Sequence, residues 1–543
     1  MFLEKRIDKL LATVNEENLE FDISFLSLGL PNIKAIVSVL KRKKYLKDDI
    51  LKACAEFKKK TGKEPVWIKM DIVTHTEQID FNILVNDLEK TRRNYVDYGF
   101  SLDDSWRYAF LPEIINANAF IRPNNKDKKL YLSEKNINNY LKKYTKNNLA
   151  FNKVYYNNKK VIKFYTIGFY VEEDRIIKLN EKGYEKNLRD VDNFHEEIDK
   201  LIKQSVNYLK NEIQSNGKYI YGYFPHFDKK INFYNNLRHS SSTYALIEGL
   251  SYLNKDISVA KKPLNYIIEN YLYEHDGIAY VFDDTKGINE IKLGQNAAFI
   301  LAICEYLRHR PDDLYYVEIA QKVAKGIESM IDDNDAETIH VLHYPTLKVK
   351  EKYRIVYYDG EAAFALLRLY QVDGDENWLN LVKHLFEKFI KQNYWKYHDH
   401  WLSYCTNELV KLNHEEKYYI FGMKNAAGHL DYIKQRETTF PTFLEMLVAT
   451  YKLVQSAKNS GFKHLVTEYI DERKLIDTIH SRANYQRTGY FYPEIVMYFK
   501  NPERIMNTFF IKHHGYRVRI DDVEHYISGY VQYQNVFENN KIT

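Results

Sequence analysis

The chain has 543 residues, 45% of them hydrophobic and 28% charged, which is too long for one ordinary domain and apolar enough for large cores. Its 79 Lys and Arg nearly balance 74 Asp and Glu, the net charge is +5, and no long basic run occurs, which argues against a generic nucleic-acid binder. No stretch of about 18 apolar residues is present, so membrane insertion is not expected. The start MFLEKRIDKLL lacks the apolar core of a secretory signal, and Cys54, Cys304 and Cys405 show no CxxC spacing. Buried reduced thiols in a cytoplasmic protein are the expectation.

Residues 1–185 read as an α+β accessory domain. Periodicity predicts helices near 33–41 and 44–59, the second closed by Gly62, then a strand over 66–73 and a helix around 83–95. The Lys- and Asn-rich segment 122–150 reads as loop with one short helix. Residues 152–157 and 160–171 read as a hairpin turning at Asn157–Asn158. No phosphate loop, dinucleotide fingerprint or metal-ligand spacing is present, and neither a metal nor a cofactor is expected.

From about 190 the pattern changes to helices only. Amphipathic helices are predicted near 190–214, 257–272, 312–331, 375–393, 414–432 and 464–480. Each precedes a more apolar helix: STYALIEGLSYL (242–253), AAFILAICEYL (297–307), EAAFALLRLY (361–370), HWLSYCTNELV (400–410), PTFLEMLVATYKLV (441–454) and DVEHYISGYVQY (522–533). A helix apolar all round is buried all round, so six such pairs imply an outer and an inner ring, an (α/α)6 toroid over 186–543. Links from inner to outer helices are short, as at 254–256, 310–311 and 373–375. Links from outer to inner are long, over 215–238, 273–293, 332–358 and 481–519. The long loops therefore gather at the N-terminal ends of the inner helices, where a rigid scaffold would position functional residues.

The hairpin count, the loop asymmetry and the motif YYDGEAAFALLRLY (357–370) resemble the six-hairpin glycosidase superfamily and its toroidal relatives. Those relatives include unsaturated glucuronyl hydrolases, sugar epimerases and polysaccharide lyases. The resemblance implies a saccharide substrate.

Polar residues cluster where the inner helices open. Paired carboxylates would serve glycoside hydrolysis, one protonating the leaving oxygen while the other attacks or activates water. Asp359 or Glu361 with Asp521 or Asp522 is the first such pair, with Asp399 in reserve. The simpler role for acids at helix starts is capping of free backbone N–H groups, which suits Asp399 and Asp521. Glu361 suits it less. The helix dipole would lower its pKa, whereas burial against Tyr357, Tyr358 and small alanines would raise it. His400 and His525 offer a second chemistry, proton abstraction next to a carbonyl, as in an epimerase or lyase. Arg238, His239, Asn236, Tyr244, Trp401, Arg436, Arg517 and His343 are the candidate substrate-binding groups. Their cations point to an acidic or phosphorylated saccharide. A non-catalytic toroid that binds a glycan or protein is the third possibility, and it predicts an apolar, filled centre.

Overall fold

In a computed structural model, which describes all residues except 1, 42, 146–148 and 539–543, the chain divides into two compact units. The first comprises Met1–Asn193 with two later segments, Tyr223–Lys229 and Arg487–Val518. The second comprises Phe194–Gly222, Lys230–Gln486 and the chain from Arg519. The loop 481–519, predicted as one connection of the helical part, thus gives most of its length to the first unit.

The first unit is built on an antiparallel sheet. Its strands, in chain order, are β1 (Ser24–Leu30), β2 (Ile33–Leu40), β3 (Trp67–Asp80), β4 (Gly99–Ser101) and β5 (Ala109–Phe110). A separate ribbon of β6 (Ile121–Pro123) and β7 (Leu130–Leu132) follows, then β8 (Lys160–Glu172) and β9 (Arg175–Leu179). The sheet order is β2-β1-β3-β8-β4-β5, with β9 paired to β8. Helices Phe2–Glu16 and Leu46–Thr61 cover one face, closing a core of Ile7, Leu10, Ile50, Phe57, Leu26, Met70 and Phe169. Gly62 ends the second helix at φ 76°, the left-handed conformation glycine adopts without strain.

Three predicted elements here are corrected. Residues 33–41 form β2, not a helix, because their β-branched side chains pair with β1 in the register Ser24↔Leu40 to Leu28↔Ile36. Residues Lys153–Tyr156 are one helical turn capped by the Asn152 side chain, so no hairpin forms at Asn157–Asn158. Strand β8 instead pairs with β3 and β9. Segment 122–150 holds the ribbon strand β7 as well as the helix Glu134–Tyr144, which Ser133 caps.

Among its described residues the second unit contains twelve principal helices in chain order. They are α1 (Phe194–Asn211), α2 (Asn236–Tyr252), α3 (Lys261–Tyr271), α4 (Leu293–Leu307), α5 (Leu314–Glu328) and α6 (Tyr357–Asp373). The others are α7 (Glu376–Lys391), α8 (His400–Leu412), α9 (Glu416–Ala427), α10 (Thr442–Asn459), α11 (Glu472–Gln486) and α12 (Ile520–Phe537). The apolar, even-numbered helices pack in sequence, α2 on α4, α4 on α6, α6 on α8, α8 on α10 and α10 on α12, and α12 packs back on α2. The odd-numbered helices lie against these with their amphipathic faces: α5 on α4 and α6, α9 on α8 and α10, α11 on α10 and α12. Small residues allow the close approaches; a Cβ on Gly249 would stand 2.4 Å from Val206 and one on Gly422 2.3 Å from Leu453.

The expectation of helices alone is corrected. The long links 273–293 and 332–358 form a five-stranded antiparallel sheet from Leu272–His275, Ile278–Asp283, Glu290–Lys292, Val341–His343 and Val349–Glu351. The predicted helices 414–432 and 464–480 are each broken in two, at 428–429 and 470–471.

Candidate functional site

The even-numbered helices bring a dense polar cluster to one end of the second unit. Helix α6 starts at Tyr357, four residues before the predicted start, so Glu361 lies one full turn inside. The dipole acts mainly on the first turn, and burial wins. Burial, then the charges of Asp399 and Glu524, push the Glu361 carboxyl well above its ordinary value, against Arg238 and His525. Its Oε2 has no hydrogen-bond partner. Glycine at 294 makes room for it, since a Cβ there would stand 1.9 Å from that oxygen.

Asp399 both caps a helix and presents a buried acid. Its Oδ1 accepts from the Trp401 N–H at 3.0 Å, which starts α8, while Oδ2 is buried without a partner. A Cβ at Gly360 would stand 2.1 Å from that Oδ2. Burial raises the Asp399 carboxyl to about 8, against the backbone N–H groups of Trp401 and Leu402.

His400 follows at once. Its Nδ1 lies 3.5 Å from Asp399 Oδ1, and its Nε2 is buried with no partner. Burial, reinforced by His525, pulls its pKa well below the usual imidazole value, so the ring is neutral. The His525 ring lies 5.4 Å away at 82°. Its Nδ1 is 2.9 Å from Glu445 Oε2, and although burial opposes its charge, Glu445 and Glu524 raise it to about 10. One neutral and one cationic imidazole therefore stand side by side at neutral pH.

Glu445 and Glu524 were not among the sequence candidates. Glu445 Oε1 accepts from the Tyr404 hydroxyl at 3.2 Å. Glu524 Oε2 accepts from Ser241 at 2.5 Å, and burial pushes its carboxyl to about 8, with His525 and Ser241 opposing. The sequence did hold a signal: Glu361, Glu445 and Glu524 each sit about one turn into the apolar helix of a pair. His400, Glu445 and His525 also offer one donor atom each within 4.8 Å of one another, a set that could hold a metal ion in place of the proton shared by His525 and Glu445.

The other candidates are placed as follows. Asp521 is held by Arg238 and, at 3.0 Å, by Arg519, which also chelates Asp522 at 2.7 and 3.0 Å. Asp521 therefore bonds guanidinium groups, and no side-chain cap opens α12. Asp359 is fully buried; it accepts from Thr338 and, at 3.3 Å, from Tyr394, and lies 3.5 Å from His340. His239 is an interior residue between the Tyr234 hydroxyl (2.6 Å) and the Pro263 carbonyl (2.8 Å), and burial lowers it to about 4. Asn236 donates to the Phe282 carbonyl at 3.0 Å. Trp401 is 4% exposed, its ring packed 4.7 Å from that of His400. Arg436 bonds Thr438 and Tyr432. Tyr244 lines a cavity with Glu248, Glu305 and Arg368 among the C-terminal halves of the even-numbered helices. His343 is exposed at the end of its strand. Arg517 belongs to the first unit, where it lies 3.0 Å from His514 Nδ1.

No family model matches the chain, and no curated protein matches it. Among solved structures it is similar to the cellobiose 2-epimerase of Bacillus thermoamylovorans B4167, at 12% identity over 63% of this chain and 99% of that one, TM-score 0.48. It is similar to a D-mannose isomerase, at 11% identity over 64% of this chain and 100% of that one, TM-score 0.46. It is also similar to the GH76A α-1,6-mannanase of Salegentibacter sp. HEL1_6, at 12% identity over 63% and 98%, TM-score 0.42.

Proposed function

We propose that the second unit is an (α/α)6 toroid that enolises the open-chain form of a saccharide, as an epimerase or aldose–ketose isomerase. The observation that carries this reading is the neutral His400, with an unpartnered Nε2, beside the imidazolium of His525 held on Glu445. A neutral imidazole is a competent base, and His400 takes the proton from the carbon next to the carbonyl. The C–H electron pair moves into the enediolate, and the His525 imidazolium steadies the oxygen that gains charge. Imidazole rings with centroids 5.4 Å apart suit groups that act on adjacent atoms of one substrate, a carbon-bound hydrogen and the neighbouring oxygen. The unit's polar centre speaks against a filled scaffold: Tyr404–Glu445, Ser241–Glu524 and Ser528–Glu248 are hydrogen-bonded pairs between inner helices. The saccharide class follows from the resemblance of the sequence pattern to the six-hairpin enzymes.

Glycoside hydrolysis is the second reading, favoured by the neutral Glu361 carboxyl with its unpartnered Oε2, which suits a general acid. It also needs a carboxylate free to attack or to activate water, whereas burial pushes up Glu361, Asp399 and Glu524, and Glu445, Asp521 and Asp522 are already bound to His525, Arg238 and Arg519. The test is incubation with D-glucose, D-mannose and D-fructose, and with disaccharides ending in glucose, in deuterium oxide. Enolisation predicts deuterium at the carbon next to the carbonyl, retained in Glu361→Gln to within about tenfold. Glycoside cleavage without exchange, lost roughly a hundredfold in Glu361→Gln, would replace enolisation by hydrolysis.

A further inference from the structure

The first unit carries a concentration of positive charge that its own fold leaves unanswered. Two adjoining grooves, of about 570 and 520 Å³, share Lys34, Lys143, Tyr144 and Lys500. Lys60 and Lys63 line one of them and Lys142 the other. Each volume lies within the range of ligand-binding clefts. The lysines come from separate places in the chain: Lys34 from β2, Lys60 and Lys63 from the end of a helix, Lys142 and Lys143 from the last turn of Glu134–Tyr144, and Lys500 from the late segment. Tertiary structure, and no run in the sequence, makes the patch.

Among the described residues none of these lysines makes an ion pair with a carboxylate. The one described acid in the lining, Asp228, already accepts from the Tyr223 hydroxyl and, at 3.2 Å, from Asn501. Lys34 is the centre of the arrangement. Its ammonium donates to Asn118 Oδ1 and sits 4.4 Å from the Tyr144 ring and 5.4 Å from that of Tyr140. Burial and the like charges of Lys143 and Lys500 lower it to about 7. An ammonium so placed is destabilised until an anion joins it.

We propose that this lysine-lined groove binds an anionic saccharide chain, its carboxylate, sulfate or phosphate groups pairing with Lys34, Lys143 and Lys500 and its hydroxyls meeting the Asn139 amide. Single-stranded nucleic acid is the competing polyanion, and it needs free aromatic faces on which bases stack. Here Lys34 covers the Tyr144 ring, Tyr140 is 6% exposed, and Arg122 lies 5.5 Å over Phe227. The lining lysines are point charges suited to scattered anionic groups.

The test uses the full-length chain and calorimetric titration with a galacturonate octamer, a heparin-derived octasaccharide, a neutral cello-oligosaccharide and a dT 20-mer. An acidic oligosaccharide is expected to bind, with affinity falling roughly tenfold between about 50 and 300 mM salt as the charges are screened. The neutral oligosaccharide is expected not to bind in this groove. Lys143→Glu with Lys500→Glu, both exposed changes, should weaken binding at least about tenfold, and Lys34→Met should do the same. A control with equal charge change, Lys391→Glu with Lys396→Glu, should leave it within about twofold. Tighter binding of the dT 20-mer, equal loss in the control pair, or no binding of either acidic oligosaccharide would overturn the proposal.

Discussion

His400→Asn is expected to lower the rate of deuterium exchange next to the sugar carbonyl by roughly 10²–10⁴-fold, the contribution of a positioned general base. Asparagine keeps a polar group at the site and removes the titrating ring nitrogen. The start of α8 should persist, because the Asp399 side chain, not His400, caps it through the Trp401 N–H. Circular dichroism should therefore be unchanged, which separates lost chemistry from lost folding. Wild-type exchange in the variant would reject His400 as the base. The pH profile adds a second check: with the base neutral well into the acid range, the rate should fall on the alkaline side, as His525 loses its proton near about 10.

The same groups set how stability responds to pH. The folded pKa of His525 lies above its unfolded value, so its contribution is complete below about 6.5 and is lost as pH rises through about 10. Asp399 and Glu524 are likewise raised, to about 8, so the folded state holds protons that the unfolded state releases above about 4. All three contributions fall as pH rises. The urea midpoint of the second unit should be lower at pH 9 than at pH 6, and the reverse order would contradict the burial of these groups.

Lys69→Met is expected to destabilise the first unit by about 3–5 kcal/mol, the cost of leaving buried charge uncompensated. Lys69 is fully buried on β3, with Asp71 at 2.8 Å and Glu113 at 2.7 Å. Burial opposes its charge, but the two carboxylates outweigh burial and raise the ammonium well above its ordinary value. Burial pushes Asp71 up to about 6 even so, because it shares the ammonium with Glu113. Methionine has similar length and no charge, so the loss would come from the two stranded acids and not from a cavity. Lys69→Met combined with Asp71→Asn should recover much of it, since Glu113 and the buried Lys186 ammonium are then left to balance one another. Chemical denaturation checks both, and a midpoint unchanged in the single variant would show that the ion cluster does not support the fold.

The alternation of amphipathic and apolar helices was legible because a helix apolar on every face can only be buried, and the 3.6-residue period marks the partner that covers it. The short links after the apolar helices and the long links before most of them were legible for the same reason: turn residues and polarity mark where periodicity stops. Glu361, Asp399, His400 and His525 were singled out because polar groups at the openings of apolar helices stand out against their surroundings. Their protonation was not legible. Whether dipole or burial governs Glu361 depended on α6 beginning at Tyr357, and the His525 charge depends on Glu445 and Glu524, 80 residues before it and next to it. Other features were decided wholly by tertiary structure. Residues 33–40 carry a helical period, yet hydrogen bonding to β1 makes them a strand, because Ile33, Ile36, Val37 and Val39 favour an extended chain once a neighbouring strand supplies the missing partners. The segments 223–229 and 487–518 join the first unit across hundreds of residues, which no local pattern encodes. The lysine groove is of the same kind: each lysine alone looks like a solvated surface charge, and only the fold brings them together without carboxylates.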